Sequence, residues 1–225
     1  MGVMHQVLAV TSASILVVGA LFPIVNPLGS AAIFLNLVGN ISSGIQQVLA
    51  RKIAIYSFFL LIGSLLWGVK VLSFFGISIY AVQIGGGLVV AATGWSLLGQ
   101  SPVGANTAAR TDDDILANAF YPYTMPITVG PGSISVAITL GAHLPSELHA
   151  GSIFSPGVLV ASMAGIVATC LIVYICYRYA SEAERLLGAS GTSVFMRLSS
   201  FILLCIGIQI ICTGVKAYLG SAGHF

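Results

Sequence analysis

The chain has 225 residues, of which 57% are hydrophobic and 6% charged, and its formal net charge is +2. Soluble domains carry about a quarter charged residues, so a mean hydropathy of +1.03 excludes that class and points to a polytopic membrane protein. So small a net charge also argues against nucleic acid as a partner.

Charge-free apolar stretches run over residues 7–38, 53–69, 71–98, 119–142, 157–177 and 198–215. Each is near or above the roughly 20 residues that a spanning helix needs. Outer-membrane strands would alternate in polarity over about 10 residues, whereas these runs are continuous. The expected fold class is therefore all-α transmembrane, a six-helix bundle. The head of the first run, MGVMHQ, lacks positive charge, and its apolar part is longer than a signal h-region; it reads as a retained helix.

The first span is interrupted by PIVNPLGS at 23–30, with Pro23, Pro27 and Gly29 as breakers. Span 2 follows the pair Arg51-Lys52, and span 3 carries Gln83 and the glycines 85–87, which suit close helix packing. The hydrophilic stretch 99–118 then holds Thr111, read as an N-cap, before Asp112, Asp113 and Asp114, which favour the first turn of a helix. Span 4 contains PITVGPGS at 126–133. Beyond it His143, Glu147 and His149 are expected in a short loop with Pro145, without the two-turn helix that a zincin motif requires. Spans 5 and 6 contain Cys170, Cys176, Cys205 and Cys212, which lack CxxC spacing and read as small apolar residues.

PIVNPLGS and PITVGPGS align without a gap, beginning Pro-Ile and ending Gly-Ser, and each lies within the first span of its half. A weaker match lays QIGGGLVV at 83–90 over RLSSFILL at 197–204. The expected organisation is a first three-helix repeat over 1–98, a cytoplasmic linker over 99–118 and a second repeat over 119–225. Three spans per half make the repeats inverted, as in many secondary transporters. The loops after spans 1, 3 and 5 carry Arg51, Lys52, Arg110, Arg178, Arg185 and Arg197, against Lys70 and Lys216 on the other side. The positive-inside rule then puts both termini outside the cytoplasm, in a multi-pass protein of the inner (plasma) membrane.

Paired breakers interrupt a helix rather than merely bend it, and the freed backbone groups must be buried in protein or line a wet cavity. A half-helix starting near Ser30 and another near Ser133 would present unpaired amides and partial positive charge at the midplane. The ends of the preceding half-helices, with Asn26 and Thr128, would add carbonyls and a hydroxyl. Such a site suits a zwitterion, and the glycines at 29, 130 and 132 leave room for a small one.

At NPLGSAAIFL (26–35) and MPITVGPGSISVAITLG (125–141), followed by the glycine-rich third span and the sixth span led by Arg197, the chain resembles the MarC family of six-span inner-membrane proteins, which includes archaeal small neutral amino acid transporters. The resemblance implies transport of glycine, alanine, serine and similar substrates, driven by a proton gradient. Carried onto matching positions, it implies a substrate site of Asn26, Pro27, Leu28, Gly29 and Ser30 with Gly130, Pro131, Gly132 and Ser133; the residue reading adds Thr128. No cofactor is expected, and coupling to protons or sodium stays open because no Asp, Glu or Lys lies deep in a span. The expected partners are a small neutral amino acid and the lipid bilayer, with room for a homo-oligomer. Rival readings are an exporter or facilitator of other small metabolites or drugs, and a membrane protein without transport. An intramembrane enzyme would need a nucleophile with a base, such as GxSxG with an embedded His or Lys, and none is present.

Overall fold

The structure, a computed structural model, describes residues 2–39, 41–99 and 112–222. It is almost entirely helical, and the described residues contain no strand. The elements are α1 (Gly2–Val25), α2 (Pro27–Val38), α3 (Ser43–Phe74), α4 (Ile79–Gly99), α5 (Asp112–Ala117), a wide π-helical segment (Ala119–Thr128), α6 (Pro131–Glu147), α7 (Pro156–Arg178) and α8 (Ala180–Ala222). Five stretches are long and apolar enough to cross a membrane, and the π-helical segment with α6, bent by 68°, makes a sixth if the pair is taken as one span. The chain is thus a multi-pass helical membrane protein.

Several helix ends differ from the apolar boundaries in the sequence. Arg51 and Lys52 lie inside α3, which starts at Ser43 with the Ser42 hydroxyl accepting from the Ile45 amide at 3.3 Å. Lys70, read as the edge of span 2, also lies inside α3, with its ammonium 5.0 Å from the centre of the Phe154 ring. The helix instead ends at Phe74 and is closed by Gly76, whose φ of 67° is left-handed. There the Gly76 amide donates to Ser73 O (3.1 Å) and the Ile77 amide to Leu72 O (2.9 Å). Glycine takes up this conformation at no steric cost and so closes the last carbonyls, whereas a long cation does not end a helix because it can snorkel. Thr111 lies outside the described residues; Asp112, Asp113 and Asp114 do form the first turn of α5.

Two buried apolar layers hold the bundle. One joins the second half of α1 (Val17, Leu21) with the second part of α3 (Leu61, Leu65), with α6 (Leu140, Leu144) and with the start of α7 (Val158, Ala161). The other joins α2 (Phe34, Val38), the first part of α3 (Leu49, Ile53), the π-helical segment (Tyr123) and the end of α7 (Val173, Tyr177). The Gln46 amide ties α3 to the second layer: its Nε2 donates to Tyr177 O (2.8 Å) and Arg178 O (3.2 Å), while Ser181 Oγ donates to its Oε1 (2.7 Å). Terminal carbonyls of α7, which have no intrahelical partner, are thereby satisfied.

α4 and α8 pack antiparallel through small residues. A Cβ at Gly94 would meet Ser200 and Leu204, one at Gly87 would meet Gly207 and Ile211, and one at Gly214 would meet Gln83 and Ile84. Of the glycine triplet, Gly87 is buried against α8, Gly86 is buried against Ser135 of α6, and Gly85 faces open space. Without a hydrophobic force between helices in lipid, this close backbone approach is what dispersion needs.

Candidate functional site

The first interruption is one residue wide. Pro23 stays inside α1, and the Asn26 amide still donates to Phe22 O at 3.0 Å. The turn falls at Asn26, in left-handed conformation (φ 45°, ψ 59°), with Pro27 as the first residue of α2. Pro23 therefore does not break the helix, and the apolar run Val7–Leu35 still counts as one span. Asn26 caps its own break: Oδ1 accepts from the Gly29 amide at 3.3 Å, and the Ser30 hydroxyl donates to Asn26 O at 2.8 Å. A Cβ at Gly29 would overlap the folded-back amide, so this glycine makes room for Asn26.

Asn26→Ala is expected to lower stability by about 2 kcal/mol, roughly half from the lost cap and half from a left-handed residue without a local partner. Asn26→Gly should cost only a few tenths. Thermal unfolding of the detergent-solubilised variants checks the contrast; equal losses would mean that the left-handed backbone at this position costs nothing.

The second interruption is wider. Tyr121 and Met125, each followed by a proline, have extended backbones (ψ 125° and 120°) inside the π-helical segment. A proline pushes its predecessor out of the helical region and removes a donor. Threonine hydroxyls bond carbonyls five residues back in the segment: Thr124 Oγ1 donates to Ala119 O and Thr128 Oγ1 to Tyr123 O, both at 2.7 Å. Since the Thr128 proton is committed, the buried Tyr177 hydroxyl donates to Thr128 Oγ1, also at 2.7 Å. The chain then crosses Val129 and Gly130 in extended conformation, and α6 starts at Pro131 with no side chain capping it. Its Gly132 and Ser133 amides are the uncapped end of a 17-residue helix, a place that favours negative charge.

Both interruptions open on one cavity of about 640 Å³. Asn26 and Ser30 reach it from one side, and Thr128, Gly130, Pro131, Gly132 and Ser133 from the other. Thr93 and Ser96 of α4 add hydroxyls, and Ile24, Ile33, Val89, Val90 and Leu97 form apolar wall. Pro27, Leu28 and Gly29 are not part of this lining; Pro27 and Gly29 are buried in the turn and Leu28 is 45% exposed, at a separate small hollow beside α8. The structure thus gathers seven of the ten predicted site residues around one space. Sequence reading missed Thr93, Ser96 and Tyr177, which carry no local motif and reach the breaks only through packing.

The pattern described as "MarC family integral membrane protein" matches residues 11–219. The chain belongs to the MarC family. It is 33% identical over 202 residues to the inner membrane protein MarC of Salmonella typhimurium (strain LT2), covering 87% of this chain and 90% of that one. The MarC proteins of Citrobacter koseri and Escherichia coli O1:K1 are each 34% identical, over 204 and 203 residues, with the same coverage. No solved structure matches the chain.

Proposed function

We propose that this MarC-family protein is a secondary transporter of small neutral amino acids of the glycine, alanine and serine class, working in the inner membrane. The substrate sits between the two helix breaks, and two inverted three-helix repeats carry one break each. The observation that carries this reading is that two similar motifs about a hundred residues apart line one cavity. Discontinuous helices meeting at a repeat interface are the usual construction of a transporter site.

The packing supports inversion. Exchanging the halves turns the α1–α7 contact into that of the π-helical segment with α3, and the α2–α8 contact into that of α6 with α4; all four are present. The same exchange swaps the two apolar layers. The breaks themselves are unequal, and that sets the polarity of the bound zwitterion. Break one is capped by Asn26, so the carboxylate goes to the Gly132 and Ser133 amides at the start of α6. The ammonium then turns to carbonyls in the turn before α6, where Pro131 supplies no amide to occupy them. A short aliphatic side chain faces Ile33, Val89 and Val90.

Uptake of labelled alanine and glycine into proteoliposomes, with proton and sodium gradients imposed separately, tests the function and its coupling. Saturable uptake competed by serine is expected. If the purified protein neither moves nor binds any small amino acid, the assignment is lost. The cavity is larger than alanine, which favours a bigger metabolite or drug as the alternative cargo; competition by such compounds without amino acid uptake would select it.

A further inference from the structure

A second cavity of about 650 Å³ lies on the outer face of the bundle, as a groove between α3 and α7 that shares no lining residue with the cavity at the helix breaks. Its walls are apolar: Ile55 and Phe59 on α3, and Val167 and Leu171 on α7, all exposed, with Phe58 and Cys170 at its floor. Polar side chains occur at one end only, where Gln47, Arg51 and Tyr174 line it. Arg178 joins that end, since its Nη1 donates to the Tyr174 hydroxyl at 2.7 Å and its guanidinium lies 5.4 Å from the Tyr179 ring centre.

The groove has the length and polarity of one lipid leaflet. Gln47 and Phe59 are twelve residues apart on α3, which is about 18 Å at 1.5 Å per residue. Half of a hydrocarbon core is about 15 Å. A diacyl lipid standing in that leaflet would place its chains against Phe59, Val167 and Leu171 and its phosphate level with Arg51 and Tyr174. Arginine matches phosphate geometry with paired donors, and basic pockets between spanning helices are where anionic headgroups are held. Arg178 is already oriented by the two tyrosines, so little side-chain entropy is lost on binding.

We infer that this groove is a binding site for an anionic phospholipid, with an acyl chain between α3 and α7 and the phosphate on Arg51 and Arg178. The site is independent of the transport cavity. Occupancy would fasten α3 to α7, two of the helices that take part in both apolar layers.

The test uses the full chain, purified in detergent and offered phosphatidylglycerol or phosphatidylethanolamine with matched acyl chains, with bound lipid counted by native mass spectrometry. The unsubstituted protein should retain phosphatidylglycerol about tenfold over phosphatidylethanolamine. The double variant Arg51→Gln/Arg178→Gln should lose that preference. Leu171→Trp, on an exposed face where folding is not at stake, should expel both lipids with the arginines intact, and inorganic phosphate should not compete. Equal retention of the two lipids, a preference that survives in the double variant, or unchanged retention in Leu171→Trp would each overturn the assignment.

Discussion

Gly130→Ala is expected to reduce alanine uptake about tenfold while leaving the protein folded. The backbone at Gly130 (φ −88°, ψ 178°) accepts any residue, so the substitution carries no conformational penalty. Its methyl would sit 3.0 Å from the Pro126 carbonyl oxygen, at the edge of the cavity. That distance forces the carbonyl aside by a few tenths of an ångström, and the displaced group is one of those proposed to receive the ammonium. Losing one such hydrogen bond is worth about 0.5–1.5 kcal/mol, up to roughly tenfold in affinity. Gly85→Ala is the control, since nothing lies within 4 Å of its added methyl; uptake should be unchanged and stability slightly raised. If Gly130→Ala transports normally, or if both variants lose uptake together, the site does not lie at the second break.

Gly207→Leu is expected to damage the fold severely, costing about 3 kcal/mol, at the upper end for overpacking. A Cβ at Gly207 would run into the backbone and Cβ of Ala91 on the facing α4. Backbone cannot rotate away as a side chain can, so the helices must separate and forfeit their contacts along the whole α4–α8 seam. Gly132→Val offers a contrast, because the atom in its way is the Cγ2 of Val90, a side chain. Val90→Ala should rescue the stability of Gly132→Val, and no comparable single change should rescue Gly207→Leu. Melting temperatures of the four proteins in detergent decide this; a mild Gly207→Leu would mean that the seam is looser than its contacts imply.

The comparison of the two breaks explains why equal motifs behave unequally. Pro23 and Pro126 occupy aligned positions, yet Pro23 is absorbed within α1 whereas Pro126 ends up in a wide turn beside a 68° bend. The difference lies in neighbours that the alignment does not match: Pro122 and the hydroxyls of Thr124 and Thr128 on one side, Asn26 on the other. The sequence offers Thr128 as a ligand group, because a hydroxyl near a break can meet a substrate. In the folded chain its proton goes to Tyr123 O, and Tyr177, 49 residues away, supplies the bond to its oxygen.

Membrane residence, helical class, the number of apolar runs and the location of both interruptions were determined by the sequence alone. Each depends on local chemistry: a charge-free stretch has no other stable setting than lipid, and a proline removes a donor wherever it stands. The true ends of α3, the capping of the first break and the openness of the second were decided only by tertiary structure. Lys70 sits inside α3 with its ammonium beside the Phe154 ring, and Asn26 can fold back because Gly29 leaves space. The meeting of the two motifs around one cavity is also tertiary. It depends on how α4, α6 and α8 pack through small residues, and such contacts between distant residues leave no periodic mark in the chain.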